Sequence, residues 1–212
     1  MGKIPEEKDY SMGLLEQWGV TLDELNEILA SRPSLRGILI GFVAEYKLPQ
    51  MWFTDPRIEK LERYENHDRT RPGDFGFLYK GEPISVQAKS LQTNSVRRTE
   101  TGYIGTFQCD ASDRRPVTLP NGQIVETTCL VAGGFDLLAV NLFEFGQEWR
   151  FAFAKNTDLP RTKSSKYTPE QRQYLLATSI RITWPLEPPF HEEPFEVLEA
   201  IVADRRRRGR RR

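Results

Sequence analysis

The chain has 212 residues, of which 38% are hydrophobic and 28% are charged, as expected of a soluble globular protein with a full core. No run of about 18 apolar residues occurs and residues 1–10 lack the apolar centre of a signal peptide, so we expect no membrane segment and a cytoplasmic location. Two cysteines, Cys109 and Cys129, are too few for a disulfide framework, and their spacing matches no zinc site.

Basic and acidic side chains are equal in number, 30 of each, but they are unevenly distributed. Residues 205–212, RRRRGRRR, hold seven of the basic groups, which leaves 23 basic against 30 acidic groups in the rest of the chain. A block of like charge repels itself and stays disordered unless a polyanion orders it. We therefore predict one domain over residues 1–203 and an arginine-rich C-terminal tail over residues 204–212. This tail either binds phosphate or is simply solvated.

The first third of the chain has helical patterns. Residues 11–30 predict one or two short helices, with a capping box formed by Thr21 and Glu24. Residues 35–46, LRGILIGFVAEY, are almost wholly apolar, which predicts a buried helix. Residues 55–64 begin with Asp-Pro, a helix-starting pair, and predict a further short helix.

Glu45 is the one acid in the apolar helix predicted at residues 35–46. Helical spacing puts it on the same stripe as Leu35, Ile38 and Phe42. A carboxylate on a buried stripe is expected to be paired, protonated or bound to a metal. The alternative is that Glu45 lies near the helix end and reaches solvent.

A polar cluster is predicted from the hairpin that follows. Residues 74–79 and 84–89 have the pattern of two short strands, joined by a turn at residues 80–83. Since side chains alternate along a strand, Gln87 and Lys89 share one face, and the hairpin brings them towards Asp74. This arrangement is either a solvated sheet face or a site for a hard cation and a phosphate.

The spacing of these residues resembles the signature of the PD-(D/E)XK nucleases, the restriction-endonuclease-like superfamily. Asp74 matches the first acid and Lys89 the lysine, whereas Gln87 stands where the family has a second acid. Gly73 stands where the family name has proline, and the resemblance covers only residues 45–89. It implies a restriction-endonuclease-like α/β fold: a single domain with a mixed central β-sheet flanked by helices.

The resemblance also implies a metal site. A helix before the first catalytic strand often carries a glutamate in this family, and Glu45 is the candidate for that role. The implied catalytic residues are Asp74, Gln87, Lys89 and Glu45. The metal, Mg²⁺ with Mn²⁺ as an alternative, would be held by Asp74, Glu45 and the amide oxygen of Gln87, which is a weaker ligand than a carboxylate. Lys89 would orient the attacking water and meet the scissile phosphate.

The rest of the chain predicts a mixed sheet with two more helices. Strands are expected at residues 103–110, in a hairpin at 117–128 with an Asn-Gly turn, and at 135–143, 149–154 and 180–184. Helices are expected at 168–178 and 195–204, with extension of the last helix into the arginines as an open alternative. The strand at 135–143 is the most apolar and is expected to be central. Asp136 at its start is a second-rank acidic candidate, or simply caps the preceding turn.

The expected partner is nucleic acid, DNA in the first place, with no membrane contact and a homodimer as an open alternative. Phosphate contacts are expected from two arginines in a polar stretch after Lys89 and from the tail, namely Arg97, Arg98, Arg205, Arg206, Arg207 and Arg208. The function that follows is a Mg²⁺-dependent DNA endonuclease of restriction, repair or mobile-element type. The alternative is a non-catalytic nucleic-acid-binding protein that keeps the fold, with Gln87 marking lost chemistry.

Overall fold

The computed structural model describes residues 13–64, 71 and 73–209, which form five α-helices and ten β-strands. The chain divides into two units, Met1–Ile40 and Gly41–Arg212. Residues 210–212, the end of the predicted tail, lie outside the described residues. No helix among the described residues has both the length and the apolar composition that a bilayer crossing requires.

Helices form the described part of the first unit. They are α1 (Leu14–Gln17), α2 (Leu22–Ser31) and the start of α3 (Pro33–Leu48), which continues into the second unit. The predicted capping box is present: Thr21 Oγ1 accepts from the Glu24 N–H at 3.2 Å, and Glu24 Oε2 accepts from the Thr21 N–H at 2.8 Å. This pair satisfies two of the N–H groups that every helix start leaves unpaired.

The prediction that residues 35–46 form a buried helix is half wrong. These residues are helical in α3, but only Ala44 and Leu48 of the whole helix are buried. Leu35, Ile38 and Phe42 are all exposed. An apolar sequence predicts burial only where the rest of the chain covers it, and sequence pattern alone does not show whether a cover exists.

The ten strands form three sheets. In chain order they are β1 (Ile58–Arg63), β2 (Phe75–Tyr79), β3 (Glu82–Ser90), β4 (Arg97–Arg98), β5 (Tyr103–Gln108), β6 (Asp110–Thr118), β7 (Ile124–Cys129), β8 (Leu137–Asn141), β9 (Phe151–Lys155) and β10 (Ser179–Trp184). The largest sheet has the order β1-β2-β3-β8-β9, and the smaller ones are β10-β5-β4 and β6-β7. In the large sheet β3 and β8 are parallel and the other pairs are antiparallel, so the predicted mixed central sheet is confirmed.

Strand β8 lies inside the large sheet and is buried along its whole length, as its apolar sequence predicts. Leu137 and Ala139 face a core that includes Leu48 of α3 and Val202 of α5 (Pro194–Gly209). Leu138 and Val140 face the opposite core, which is completed by residues of β5 and β10. The α/β fold class is therefore confirmed. Helices α3 and α5 pack on one face of the largest sheet, and the sheet β10-β5-β4 packs on the other.

Residues 55–64 do not form the predicted helix, and this assignment is wrong. Residues 58–63 are strand β1, which pairs antiparallel with β2 and places Arg63 opposite Phe75. The register shifts between Glu59 and Glu62, where Lys60 has a positive φ of 53°. The hydrogen-bonding edge of β2 pairs with this segment and overrides its local helix preference.

Two helices lie in the last part of the chain, one between β9 and β10 and one after β10. Helix α4 (Pro169–Tyr174) is shorter than predicted, and α5 continues beyond residue 204 to Gly209. The first part of the expected tail is therefore helical, which agrees with the alternative that the last helix extends into the arginines and not with a wholly disordered like-charge block. Acidic groups offset the repulsion, since Asp204 pairs with Lys155 at 2.8 Å and with Arg207 at 3.3 Å.

Candidate active site

The β2–β3 hairpin joins Asp74 to Gln87, one of the two residues with which it was predicted to cluster. The Asp74 N–H donates to the Val86 carbonyl at 2.7 Å, which extends the strand pairing by one residue. Asp74 Oδ2 accepts from Gln87 Nε2 at 2.5 Å and from the Ala88 N–H at 2.6 Å. One carboxylate oxygen of Asp74 is thus fixed by the strand that carries Gln87 and Lys89.

Gly73, immediately before Asp74, has a backbone conformation that excludes proline. Its φ is +87°, and a Cβ atom at this position would lie 2.3 Å from the Val86 carbonyl oxygen. Proline fixes φ near −65°. The proline of the family name therefore does not fit the backbone that brings Asp74 against β3 here.

The charge on Asp74 is only partly compensated. Burial raises the pKa of the Asp74 carboxyl above its ordinary value, while the Ala88 N–H, the charge of Lys89, the Gln87 amide and the charge of Arg63 oppose that rise. No ion pair to Asp74 occurs within the part of the chain that the structure describes. Asp74 is therefore held by hydrogen bonds in a site where its negative charge is disfavoured.

Glu45 lies within the electrostatic reach of Asp74. Glu45 Oε2 accepts from Arg63 Nη2 at 2.8 Å. Burial and the charge of Asp74 raise the pKa of Glu45, whereas Arg63 and the charge of Lys89 lower it. The structure thus brings Glu45 of α3 into the same electrostatic cluster as Asp74 and Lys89, with a cation that holds it in place.

Lys89 extends from β3 to the beginning of β6. Its ammonium donates to the Asp110 carbonyl at 2.9 Å. Burial raises the pKa of the Asp110 carboxyl, while the charge of Lys89 and a hydrogen bond with Thr128 oppose that rise. Lys89 is therefore a fixed cation whose charge acts on Asp74, Glu45 and Asp110.

Sequence reasoning missed Arg63 and Asp110. Arg63 was hidden because its segment was predicted to be helical, whereas strand pairing places it opposite Phe75, the neighbour of Asp74. Asp110 begins the strand that turns away from β5, and no spacing in the sequence links it to Lys89. If residues 58–63 had been predicted as a strand beside β2, the position of Arg63 next to Asp74 would have been predictable.

The cluster fits a hard cation better than a zinc ion. Among the described residues, no group of three or more His, Cys, Asp or Glu side chains has a metal-binding arrangement. The hydrogen bonds described above use Oδ2 of Asp74 and Oε2 of Glu45, so the other oxygen of each carboxylate and the Gln87 amide oxygen are the atoms that could bind a cation. Two carboxylates suffice for Mg²⁺ because this ion keeps several water ligands.

The arginines predicted to contact phosphate lie in two places. Arg97 and Arg98 form the exposed edge strand β4, and Arg206, Arg207 and Arg208 are exposed on α5. Arg205 differs from them, because its guanidinium donates to Asp136 Oδ1 at 2.6 Å and to the Pro83 carbonyl. The structure therefore shows Arg205 in an internal contact and not on an open surface.

Asp136, the second-rank acid, lies outside the cluster around Asp74. Its Oδ2 accepts from both the N–H and the hydroxyl of Ser85, each at 2.9 Å, and its Oδ1 is paired with Arg205. These contacts join β3, β8 and α5. Asp136 thus has a structural role in holding the helix against the sheet, with no contact to Asp74, Gln87 or Lys89 among the described hydrogen bonds.

Comparisons with known proteins do not assign the chain to a family. Neither the protein-family models nor the curated protein sequences give a match to this chain. Among solved structures, the bacterial homing endonuclease I-Ssp6803I is similar over 67% of this chain and 87% of that chain, at 19% sequence identity and a TM-score of 0.32. A similarity at this level leaves the function to be argued from the site itself.

Proposed function

We propose that the protein is a Mg²⁺-dependent DNA endonuclease that uses a PD-(D/E)XK-type site with glutamine at the second acidic position. The observation that carries the proposal is the hydrogen bonding of Asp74 to Gln87 and Ala88 across the β2–β3 hairpin, with the charge of Lys89 acting on the same carboxylate. Buried acids with disfavoured charge beside a fixed ammonium are unusual in a purely structural surface and are typical of sites that bind a cation.

Each side chain has a separate task in this proposal. Asp74 and Glu45 hold the cation, with Mn²⁺ as an alternative to Mg²⁺, and Arg63 fixes the orientation of Glu45. Gln87 holds Asp74 and offers a neutral amide oxygen. Lys89, fixed by the Asp110 carbonyl, donates a hydrogen bond to the scissile phosphate or to the attacking water.

The cation supplies what these side chains lack. When bound, Mg²⁺ activates water and offsets the negative charge that develops on a phosphodiester during hydrolysis. Because Gln87 replaces an anionic ligand, the affinity of this site for Mg²⁺ is expected to be lower than that of a site with three acids. The lower negative charge also repels a polyanionic substrate less.

The exposed arginines support DNA as the substrate class. In this proposal Arg97, Arg98, Arg206, Arg207 and Arg208 contact backbone phosphates, while Arg205 keeps α5 in place through Asp136. Contacts to phosphate raise affinity without reading the base sequence, and they weaken as the salt concentration rises.

One observation favours the alternative, a non-catalytic DNA-binding protein. Gln87 Nε2 and the Ala88 N–H together satisfy Asp74 Oδ2 without any cation. A site that has lost its chemistry would be stabilised in this way, because an amide donor removes the repulsion between two acids.

The experiment is a nicking assay on supercoiled plasmid with and without Mg²⁺ or Mn²⁺, with DNA binding measured in parallel. We expect metal-dependent nicking by the wild-type protein, loss of nicking in Lys89→Met, and DNA affinity that changes little in that variant. Lys155→Met is a matched control, because Lys155 is also a half-buried strand lysine and it pairs with Asp204.

A wild-type protein that binds DNA but nicks it with neither metal contradicts the endonuclease and supports the non-catalytic alternative. Equal loss of nicking in Lys89→Met and Lys155→Met would show that Lys89 has no special role. Circular dichroism of both variants separates loss of function from loss of fold.

A further inference from the structure

Lys47 lies near the end of α3, within the second unit, and the described residues do not pair its charge. Its ammonium lies over the Trp149 ring, 5.2 Å from the ring centroid. Other cations of the described chain also lie over aromatic rings, and each of these pairs with a carboxylate: Arg57, Arg71, Lys80 and Arg150. Lys47, which is half-buried, differs from them because it has no ion pair among the described residues.

The ring beneath Lys47 is itself fixed by packing. The Trp149 and Phe143 rings are in contact, with their centroids 4.6 Å apart. Trp149 also packs against the core that contains Leu48, the next residue after Lys47. A cation over a tryptophan face is attracted by the electrons of the ring. The ring therefore holds the ammonium without neutralising it, and the charge stays available to an anion from outside the chain.

This cation and its ring lie at the end of the large sheet that carries the candidate active site. Strands β3 and β8 run parallel, and Ser90, which follows Lys89, is opposite Asn141. The Asn141 side chain accepts from the Phe143 N–H at 2.9 Å. The loop that contains Phe143 and Trp149 therefore begins beyond the same strand ends as Lys89.

Lys47 is nevertheless separate from the acids of the site. Glu45 lies two residues earlier on α3, but residues two apart point to different sides of a helix. Burial and the charges of Asp74, Arg63 and Lys89 have the largest effects on the pKa of that carboxyl. Lys47 is not among these groups, so it is a cation beside the site and not a part of the carboxylate cluster.

An available cation beside a nuclease site fits the phosphate backbone of the substrate. We propose that Lys47, held by the Trp149 ring, contacts a backbone phosphate of DNA close to the phosphate that is cleaved. The identity of this anion rests on the proposed function. Lys47 is then a substrate-binding residue: it fixes the position of the strand over Asp74 and Lys89 and takes no part in the chemical step.

The salt dependence of DNA binding tests the contact, measured in EDTA so that no strand is cleaved. We expect Lys47→Met to reduce the slope of log affinity against log salt by about one, the share of one phosphate contact. Lys47→Arg keeps the charge and is expected to keep the slope. Lys80→Met is the matched control and is expected to keep it too, because Lys80 lies over the Tyr79 ring at the β2–β3 turn but pairs with Glu199.

Steady-state nicking separates binding from chemistry. A contact made equally to the substrate and to the transition state affects KM and leaves kcat unchanged. We expect Lys47→Met to raise KM about tenfold, as for one lost hydrogen bond to a charged group, and to change kcat less than about twofold. Lys89→Met, by contrast, is expected to lower kcat. Thermal unfolding shows whether Lys47→Met keeps its fold, and Lys47→Gln replaces it if it does not.

An unchanged slope in Lys47→Met, or an equal change in Lys80→Met, would overturn the contact. A lower kcat with an unchanged KM in Lys47→Met would overturn its role in binding. A wild-type protein that binds DNA but never nicks it contradicts the proposed endonuclease alone, because the slope in EDTA still decides whether Lys47 meets phosphate. A protein that does not bind DNA overturns both proposals.

Discussion

Asp74 and Asp136 each immediately precede a strand that borders β3, and their carboxylates are stabilised in different ways. Asp136 receives two hydrogen bonds from Ser85 and a guanidinium from Arg205. Asp74 receives two hydrogen bonds, from Gln87 and Ala88, and burial raises its pKa. The charge of Asp136 is thus balanced by a guanidinium within the fold, whereas the charge of Asp74 remains disfavoured. An acid of the second kind is suited to bind a cation.

The largest expected difference between the two aspartates is in cleavage. We expect Asp74→Asn to lower the plasmid-nicking rate by about a thousandfold or more, because loss of a metal ligand costs several kcal/mol in the transition state. Asp136→Asn keeps an oxygen acceptor for Ser85 and is expected to change the rate only a few-fold. Equal losses would show that the two acids do not differ in function.

Gln87→Glu would remove the donor that stabilises Asp74 and would place a second carboxylate against it. We expect the metal-free variant to lose about 1–3 kcal/mol of unfolding free energy at pH 7.5, as expected when a buried partner is lost. Added Mg²⁺ should restore much of this loss, because a ligand that binds only the folded state stabilises it.

Urea denaturation with and without Mg²⁺ measures this effect. The matched control is Gln173→Glu at an exposed position of α4, which is expected to respond to Mg²⁺ as the wild type does. A Gln87→Glu protein as stable as wild type without metal, and indifferent to Mg²⁺, would contradict a cation site at Asp74.

Thermal stability should change in opposite directions at the two aspartates. The folded-state pKa of Asp74 is raised, so the folded protein binds this proton more strongly than the unfolded chain does. Stability therefore falls as pH rises from about 3.9, the ordinary pKa, through the raised value, and the penalty is complete above it.

Asp74→Asn removes that penalty and keeps an oxygen to accept both hydrogen bonds. We expect its Tm at pH 7 to exceed that of the wild type, by about 2–4 °C for each kcal/mol gained, and the difference to shrink as pH falls towards 4. Asp136→Asn loses its pairing with Arg205 and should lower the Tm. Calorimetry across this pH range measures both Tm differences. An Asp74→Asn protein less stable than wild type at pH 7 would show that ionised Asp74 does not destabilise the fold.

The smallest expected effect concerns Arg63. This cation lowers the pKa of Glu45, so Arg63→Ala should raise it further. If nicking requires ionised Glu45, the acidic limb of the pH–rate profile moves to higher pH in Arg63→Ala. Arg57→Ala, which removes a neighbouring arginine paired with Asp55, should leave that limb in place. An unshifted limb in Arg63→Ala would remove Glu45 from the rate-determining ionisations.

The sequence predicted the hairpin that carries the candidate site well, because a hairpin depends on alternation along two adjacent strands. Asp74, Gln87 and Lys89 lie on one hairpin, whose turn residues and polar face are visible in the sequence. The mixed sheet with a central apolar strand at residues 137–141 was also predictable, since a strand buried on both faces is apolar throughout.

The long-range part was not predictable. Arg63 acts on Glu45 from a strand whose sequence prefers a helix, and Asp110 meets Lys89 across 21 residues with no motif to link them. The parallel pairing of β3 with β8 is likewise set by packing. The exposure of α3 differs again, because its apolar sequence was read correctly as a helix but does not determine which of its residues are buried.

The close approach of Gly73 to Val86 limits how this chain could evolve or be redesigned. Any side chain at position 73 meets a carbonyl at 2.3 Å, whereas the turn glycine Gly81, also at positive φ, has open space around it. Asparagine or aspartate should therefore survive in a saturation library at position 81, while only glycine survives at position 73. A proline at position 73 would consequently require a different backbone path before Asp74, and not only a change of one codon.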